Sequence, residues 1–299
     1  MQTRNHHPQT HKRSFLTLEI RTLLIWAFCL LASSTWPAWS ENHEASRIVS
    51  LGPDVTEIIY ALGAGERIIA VDRSSKYPSD TPNKANVGYR RSLSAEGVLA
   101  LDADLIIASE DIGPPEIIDL FNQSGVDILY IPAENSREGL IEKIRLIANR
   151  LNLSTKGEQL TAEVIADFDA AIAYASRISS GKRKKVVFFH GLARLSGAGS
   201  NTAADAFIHY AGGINPLSVY SGYKSVSEEW LVKAAPDVVM MLSDGNGGPL
   251  PENVFSINAL QGTPAAKNKS LVVLDGPYMF GFGPRTAKAV RALAAALYE

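Results

Sequence analysis

Beyond residue 40 this chain has no cysteine. The only one, Cys29, lies in an apolar run near the N-terminus, so disulfides, cysteine-bound metals and thiolate nucleophiles are excluded from the rest. No apolar run approaches the ~20 residues that a membrane-spanning helix needs. Neither sign of charge dominates, because 29 basic side chains accompany 31 acidic ones. The composition therefore indicates neither a nucleic-acid partner nor stable membrane insertion.

Common enzyme signatures are also absent from the sequence. It contains no Gly-x-Ser-x-Gly elbow, no phosphate-binding glycine loop followed by Lys-Ser/Thr, and no His-Glu-x-x-His helix. The glycine-rich stretch 196–200 fits no nucleotide fingerprint, and we predict a plain turn there. The three histidines beyond residue 40 are too scattered for a zinc or manganese carrier. We predict that the chain is not an enzyme; an exported hydrolase or oxidoreductase on an α/β scaffold is the alternative.

The first forty residues differ from the rest. A basic start precedes an apolar run from Leu23 to Ala32, and Ala38 and Ser40 fit the −3 and −1 positions of a signal-peptidase site. A run of about ten residues is too short to span a bilayer. We predict a signal peptide over residues 1–40 and an exported mature chain. Loss of four basic and one acidic residue takes the formal net charge from −2 to −5.

The mature sequence alternates short β-branched runs with helical patterns, which is typical of α/β folds. This pattern fills residues 41–150 and again residues 182–299. The intervening residues 151–181 are free of proline and strongly helical, and such a helix extends ~37 Å. Four apolar residues recur along it at every fourth position: Leu160, Val164, Phe168 and Ile172. We predict two α/β lobes joined by one long spine helix.

The two halves share a weak internal repeat. The segment 94–99 followed by 104–107 corresponds to the segment 227–232 followed by 237–240. Each copy is typical of a serine-capped helix that leads into a buried strand, with the second helix predicted from Val226 to Ala234. The repeat indicates two similar units that face each other.

Two residues are placed where ligands bind in α/β proteins. His190 follows the predicted strand Val186 to Phe189, and ligands lie at the carboxyl ends of strands. Tyr89 lies in the loop Val87-Gly-Tyr-Arg-Arg91, just before the helix capped at Ser94. Taken alone, a histidine at such a place is more often structural, and a lone loop tyrosine is usually a packing aromatic.

Four groups of motifs, in order along the mature chain, carry a family resemblance. They are Arg47-Ile-Val-Ser-Leu-Gly-Pro-Asp-Val-Thr-Glu-Ile-Ile-Tyr-Ala-Leu-Gly63, Val87-Gly-Tyr-Arg-Arg-Ser-Leu-Ser-Ala-Glu-Gly-Val-Leu99, Asn201-Thr-Ala-Ala-Asp-Ala206 with Ala211-Gly-Gly213, and Gly281-Phe-Gly-Pro-Arg-Thr286. Together they resemble the periplasmic haem-binding proteins of bacterial haem ABC transporters. The first motif is shared with cobalamin and ferric-siderophore binders; the Gly-Tyr-x-Arg loop and the Gly-Phe-Gly-Pro-Arg-Thr motif are specific to haem. The resemblance implies a class III periplasmic binding protein, with two Rossmann-like lobes joined by a single spine helix.

The resemblance also implies the residues that bind haem. Tyr89 is the axial ligand, and its hard phenolate oxygen suits Fe(III). Arg91 pairs with a propionate or stabilises the phenolate, and His190 binds iron from the second lobe. Four further residues are candidates that are equally ordinary rim residues: Arg285 and Lys224 as propionate partners, Tyr223 and Phe280 as porphyrin walls.

The same resemblance implies a transport role in the periplasm. An acidic residue on each lobe docks with a permease arginine, and Glu57 and Asp205 are the candidates, with a solvated carboxylate as the plain interpretation of each. The implied partners are haem, an inner-membrane ABC permease and its ATPase, and the carrier is a monomer. The alternative is a ferric-siderophore or cobalamin receptor, in which Tyr89 is a wall residue.

Overall fold

The computed structural model describes residues 45–189, 195–243, 251–279 and 281–299. The predicted signal peptide, His190 and Phe280 lie outside these ranges. Within them, no helix combines the length and apolarity that a membrane crossing requires.

The first lobe contains a parallel five-stranded sheet in the order β3-β2-β1-β4-β5. The central strands are rich in Ile, Val and Leu and are buried on both faces, as expected for a parallel sheet covered by helices. The strands are β1 Ile48–Leu51, β2 Ile68–Val71, β3 Ala85–Asn86, β4 Leu105–Ser109 and β5 Ile128–Ile131.

The second lobe contains a five-stranded sheet in the order β10-β9-β6-β7-β8. Its strands β6, β9 and β10 are parallel, whereas β7 and β8 are antiparallel additions at one edge. The strands are β6 Val186–Phe189, β7 Ser196–Ala198, β8 Tyr223–Ser225, β9 Val238–Ser243 and β10 Leu271–Asp275.

Helices connect and cover both sheets. The described α-helices are α1 Pro53–Ala61, α2 Ala95–Leu99, α3 Glu116–Ser124, α4 Arg137–Arg150, α5 Ser154–Ser176, α6 Ala203–Tyr210, α7 Glu228–Ala234, α8 Asn258–Gln261, α9 Pro264–Lys267, α10 Gly276–Met279 and α11 Thr286–Tyr298. Short 3₁₀ turns span Gly65–Arg67, Thr81–Asn83, Ser180–Lys182, Pro216–Val219 and Pro251–Ser256. Two mainly parallel sheets with one long helix between them confirm the predicted fold class.

The long helix α5 packs against both lobes. Its buried face includes Val164, Phe168, Ala171 and Ala175, whereas the predicted stripe residue Ile172 is 38% exposed. A strict four-residue period drifts around a helix of 3.6 residues per turn, so the buried face moves to positions 171 and 175.

One hydrophobic core runs through the helix into both lobes. Phe168 lies edge-on to Tyr210 at 5.3 Å between ring centroids and 6.0 Å from Phe282. The same cluster of buried residues reaches Ile48 of the first sheet and Phe188 of the second. The two lobes are therefore packed onto a common core, which restricts their relative motion.

Two local predictions in the second lobe were wrong. The stretch 196–200, predicted as a turn, contains β7, and its glycine is required by close packing. A Cβ atom on Gly197 would lie 2.4 Å from Leu217 Cδ1 and 2.8 Å from Val226 Cγ2. The helix predicted from Val226 begins instead at Glu228, because Ser227 caps it through a hydrogen bond from the Trp230 amide.

Candidate functional site

Tyr89 lies in the loop that joins β3 to α2. Gly88, with a φ of +94°, turns the chain into this loop, and its carbonyl accepts a 2.7 Å hydrogen bond from the Arg73 amide. The Arg73 guanidinium lies 5.3 Å from the centre of the half-buried Tyr89 ring. Arg91 Nη1 lies 3.4 Å from the Tyr89 hydroxyl. The structure thus brings together the phenol and the arginine that the sequence predicts as partners.

Asp111, which the sequence analysis missed, holds the two arginines that follow Tyr89. Its Oδ2 accepts a 2.7 Å hydrogen bond from Arg91 Nη2, and its Oδ1 pairs with Arg90 Nη1. Ser109 donates a 2.8 Å hydrogen bond to the same Oδ1. Asp111 follows β4, at the carboxyl end of a parallel strand, and this position is the sequence signal that marks it.

Charge in this cluster is only partly balanced. The Arg90 side chain is 13% exposed, and burial, followed by the nearby charge of Arg91, lowers the pKa of its guanidinium. Arg91 is 50% exposed and shares Asp111 with Arg90. Asp54 and Asp72 also act on the charge of Arg90, and Arg73 adds a further cation beside Tyr89. A phenol suits a hard metal ion, and the exposed guanidinium of Arg91 beside it suits a carboxylate group.

Tyr223 of the second lobe faces this cluster. Its side chain starts β8, is 44% exposed, and lies edge-on to Phe188 with 6.4 Å between ring centroids. The pKa of Tyr223 is raised, mainly by burial; the charge of Arg91 opposes the rise, Tyr89 adds to it and Arg90 opposes it. Electrostatic coupling of this kind requires the second-lobe phenol to lie near the Tyr89 loop. Tyr223 is therefore a candidate cleft residue, as predicted for a porphyrin wall.

Lys224 lies beside a cavity of ≈ 280 Å³ on the second lobe, together with Tyr220 and Trp230. Adjacent residues in a strand point to opposite faces, so Lys224 and Tyr223 do not share a surface. The predicted contact of Lys224 with a propionate remains a prediction.

Arg285 and Glu57, predicted for separate roles, bind each other. Glu57 Oε1 accepts a 2.8 Å hydrogen bond from the Arg285 amide, and Oε2 accepts bonds from Nε at 3.0 Å and Nη2 at 2.9 Å. The guanidinium also stacks on Tyr77, 3.4 Å from the ring centroid. Burial raises the pKa of Glu57, and its contacts with Arg285 oppose that rise.

The ion pair engages both side chains that the sequence analysis assigned to other partners. The Glu57 side chain is 10% exposed, so a permease arginine would reach it only by displacing Arg285. A propionate would likewise compete with Glu57 for the Arg285 guanidinium. The docking role of Glu57 and the propionate role of Arg285 remain predictions that require this ion pair to open.

The glycines of the Gly-Phe-Gly-Pro-Arg-Thr motif allow this contact. A Cβ atom on Gly281 would lie 2.7 Å from the Asp54 amide nitrogen, and one on Gly283 would lie 3.3 Å from the Glu57 carboxyl carbon. Asp54 in turn forms a buried ion pair of 2.7 Å with Lys143 Nζ. Although burial opposes it, Lys143 holds the pKa of Asp54 below its usual value. The motif thus packs directly on the N-terminal turn of α1.

The remaining predicted site residues are Asp205, His190 and Phe280. Asp205, on α6, is half-buried, and its Oδ1 accepts a 2.7 Å hydrogen bond from Asn215, so it serves a local contact in this structure. His190 and Phe280 lie outside the described residues, and their predicted roles remain predictions. Within the described ranges, no three His, Cys, Asp or Glu side chains are grouped to hold a bare metal ion.

Comparison with known proteins places this fold and loop in a family. Residues 48–278 match the family described as periplasmic binding protein. The chain is similar to the periplasmic heme-binding protein RhuT from Roseiflexus sp. RS-1 in apo form, with a TM-score of 0.80 and 38% identity over 85% of this chain and 98% of that chain. It is also similar to the periplasmic heme-binding protein BhuT in complex with two hemes, with a TM-score of 0.79 and 32% identity over 84% and 97% of the two chains.

One relative similar in sequence is named for a different ligand, vitamin B12. The vitamin B12-binding protein of Vibrio campbellii is 30% identical over 202 residues, which is 66% of this chain and 71% of that protein. Family match, structural likeness and sequence likeness agree on one assignment. The chain belongs to the family of periplasmic binding proteins.

Proposed function

We propose that this chain is an exported carrier that binds Fe(III) haem between its lobes and delivers it to an ABC permease and its ATPase. The observation that carries the proposal is the Tyr89 phenol held 3.4 Å from Arg91, which Asp111 orients. A phenolate is a known haem ligand, and a guanidinium matches a propionate carboxylate. Burial of the macrocycle against apolar cleft residues supplies most of the affinity.

Haem is favoured over cobalamin or a siderophore for two reasons. The Tyr89 phenol supplies an anionic ligand for iron, and Arg91 beside it supplies a partner for a carboxylate. The amides of a corrin need neither. In addition, the similar structures RhuT and BhuT are heme-binding proteins at 38% and 32% identity, whereas two vitamin B12-binding relatives are 30% identical over 66% of this chain and 26% identical over 83% of it. Cobalamin binding remains the second candidate function.

His190 is proposed as the iron ligand from the second lobe, because it follows β6 in the sequence. Phe280 and Tyr223 are proposed as walls for the porphyrin. Arg285 is proposed as a propionate partner after exchange of Glu57 for a propionate. Lys224 is proposed as a second propionate partner, which requires its side chain to reach the haem from the opposite face of the edge strand β8 to that of Tyr223. No bond of haem is made or broken in this scheme, in keeping with the solute-binding role of the similar proteins.

For permease docking, the exposed carboxylates of α2 and α7 fit better than Glu57 and Asp205. The two helices occupy matching positions, each directly before the strand next to the central one in its sheet. Glu96 and Glu229 are the second residues of their helices, and both are exposed. Their carboxylates are free to meet arginines of a permease, and we propose them as the docking pair.

A transport assay tests the docking pair separately from haem binding. The double variant Glu96→Gln with Glu229→Gln is expected to lower haem uptake into permease vesicles at least tenfold and to bind haem with unchanged affinity. Glu138→Gln, at a side chain that is 72% exposed, is the matched control. Equal uptake by the double variant and the control would remove this part of the proposal.

The haem ligand itself is tested with Tyr89→Phe, which removes the donor oxygen and keeps the ring. The wild type is expected to show saturable binding with a phenolate-to-iron charge-transfer band. In Tyr89→Phe this band should weaken or disappear and the affinity should fall. An unchanged spectrum would show that Tyr89 only walls the cleft.

A further inference from the structure

The loops that follow β2 and β3 lie side by side at the carboxyl edge of the first sheet. The two strands pair in parallel, and their hydrogen bonds continue beyond the strand ends. The Val87 amide donates a 3.0 Å hydrogen bond to the Val71 carbonyl. The Arg73 amide then donates one of 2.7 Å to the Gly88 carbonyl. Arg73 is therefore held beside the start of the Tyr89 loop.

The buried Asp72 fixes the backbone on both sides of Arg73. Its Oδ1 accepts hydrogen bonds of 2.9 Å from the Gly52 amide and 2.6 Å from the Ser75 hydroxyl. Its Oδ2 accepts a hydrogen bond of 2.9 Å from the Ser74 amide, which closes a turn around Arg73. The Arg73 residue itself is exposed. The loop therefore presents an exposed guanidinium from a backbone that is held in place.

The guanidinium of Arg73 lies beside the Tyr89 ring. Its central carbon is 5.3 Å from the ring centre, while Arg91 Nη1 is 3.4 Å from the hydroxyl of the same tyrosine. Two guanidinium groups from two different loops therefore border one phenol. The sequence motifs single out Arg91 and give no role to Arg73.

Arg73 differs from the other candidate arginines in its ion pairs. Arg91 is bonded to Asp111, and Arg285 is bound by Glu57. Among the residues that the structure describes, no carboxylate forms an ion pair with Arg73. A ligand carboxylate would have to compete with a protein carboxylate at Arg91 and at Arg285. At Arg73 it would bind without displacing any described carboxylate.

We propose that Arg73 is a specificity-determining residue that binds one propionate of haem, which leaves Arg91 for the other propionate. This inference rests on the proposed function and deepens it, because it names a group that selects a tetrapyrrole with two carboxylates at the Tyr89 loop. A guanidinium donates two parallel hydrogen bonds to a carboxylate, so the contact recognises the shape of the group as well as its charge.

The contact with the Tyr89 ring gives a reason for arginine rather than lysine at position 73. A planar guanidinium packs on an aromatic ring and still directs N–H donors towards a ligand, whereas an ammonium group is a compact and strongly hydrated charge. Arg73→Lys is therefore expected to keep only part of the contribution to haem affinity. Arg73→Gln removes the charge and is expected to lose that contribution.

The test is a cycle of two proteins, wild type and Arg73→Gln, and two ligands, haem and its dimethyl ester, in which both propionates are esterified. The variant keeps the backbone amide that holds the loop. Its dissociation constant for haem is expected to rise about tenfold, because a charge-assisted contact is lost. It should bind the dimethyl ester as tightly as the wild type does. Arg183→Gln, at an exposed arginine before the amino end of β6, is the matched control and should bind haem normally.

A direct readout of the contact is the infrared spectrum of haem that carries an isotope label at its propionate carboxyl carbons. One carboxylate band should shift in Arg73→Gln and not in Arg183→Gln, and this comparison decides the matter if the ester binds too weakly to titrate. The phenolate-to-iron band should persist in Arg73→Gln, because Tyr89 is unchanged.

Three outcomes would overturn the inference. Arg73→Gln binds haem as tightly as the control, or it loses affinity for haem and for the dimethyl ester equally, or its carboxylate bands match those of the control. Loss of the phenolate-to-iron band in Arg73→Gln would likewise contradict it, since Arg73 would then act by positioning Tyr89. If the wild type shows no saturable haem binding at all, the proposed function itself fails, which is a distinct result.

Discussion

Glu57 and Arg285 lie 228 residues apart and join α1 of the first lobe to the segment before α11. Both carboxylate oxygens are used, one by the Arg285 amide and the other by its guanidinium. Breaking a buried ion pair by removing one partner is costly, because the other charge stays buried without compensation. The contact therefore restrains the relative position of the two lobes.

Arg285→Met is expected to lower the free energy of unfolding by about 3 kcal/mol, since the buried Glu57 keeps the amide of residue 285 but loses the guanidinium that balances its charge. Glu57→Met with Arg285→Met should recover most of that loss, because two apolar side chains carry no uncompensated charge. Urea unfolding of the four proteins of this double-mutant cycle measures both effects.

The matched control for this cycle is Arg145→Met, which breaks the exposed pair of Arg145 and Glu158. Its unfolding free energy should match that of the wild type within error, since water screens exposed charges. A loss for Arg285→Met no larger than that of the control would contradict the restraining role of the buried pair.

Asp54→Asn is expected to destabilise the protein at pH 7 by about 3 kcal/mol, because Lys143 remains buried without a counter-charge. The pKa of Asp54 is held below its usual 3.8, so the stability that its ionised form contributes is present above that value and is lost as pH falls through the lower, folded-state pKa. The difference between wild type and variant should therefore shrink below about pH 4. Unfolding measured between pH 7 and pH 2 would refute this if the difference grew in acid.

Gly281→Ala is expected to destabilise the protein by about 1–3 kcal/mol, since its Cβ would lie 2.7 Å from the backbone nitrogen of Asp54. Gly262→Ala is the matched control, because a Cβ there meets nothing within 4 Å and its φ is −82°. Thermal unfolding separates the two variants. Equal melting temperatures would show that the motif does not pack as described.

Phe168→Ala is expected to cost about 3–5 kcal/mol, because the ring is fully buried in the core that extends into both lobes. Because the core is continuous through α5, the variant and the wild type should each unfold in one transition. Circular dichroism and tyrosine fluorescence should give coincident curves. Two separated transitions would mean that the lobes are independent.

Most of the fold could be predicted from the sequence, since long buried strands and periodic helices carry strong local signals. The strand β6 has its predicted bounds, and the helix α5 lies within the predicted span 151–181. The missed strands β3, β7 and β8 contain only two or three residues. Such short edge strands have no alternating pattern, and pairing with a neighbour, rather than their own composition, makes them strands.

The site was predicted in part. Motif resemblance predicted Arg91 as a partner of Tyr89, and the two side chains lie 3.4 Å apart, while their haem-binding roles stay predictions. The family assignment is confirmed. Asp111 was missed because its role depends on a contact between two loops 20 residues apart. The pairing of Glu57 with Arg285 was also missed. A contact across 228 residues leaves no local pattern, and each residue alone is compatible with a surface role.

The central claim is that the chain carries haem, and the most direct test is a competition between haem and cyanocobalamin. Purified protein lacking residues 1–40 is titrated with each ligand by absorbance and by calorimetry. The account predicts saturable haem binding with a Soret shift and a phenolate-to-iron band, and cobalamin binding at least a hundredfold weaker. Tight cobalamin binding without a saturable haem response would contradict it and establish the alternative carrier.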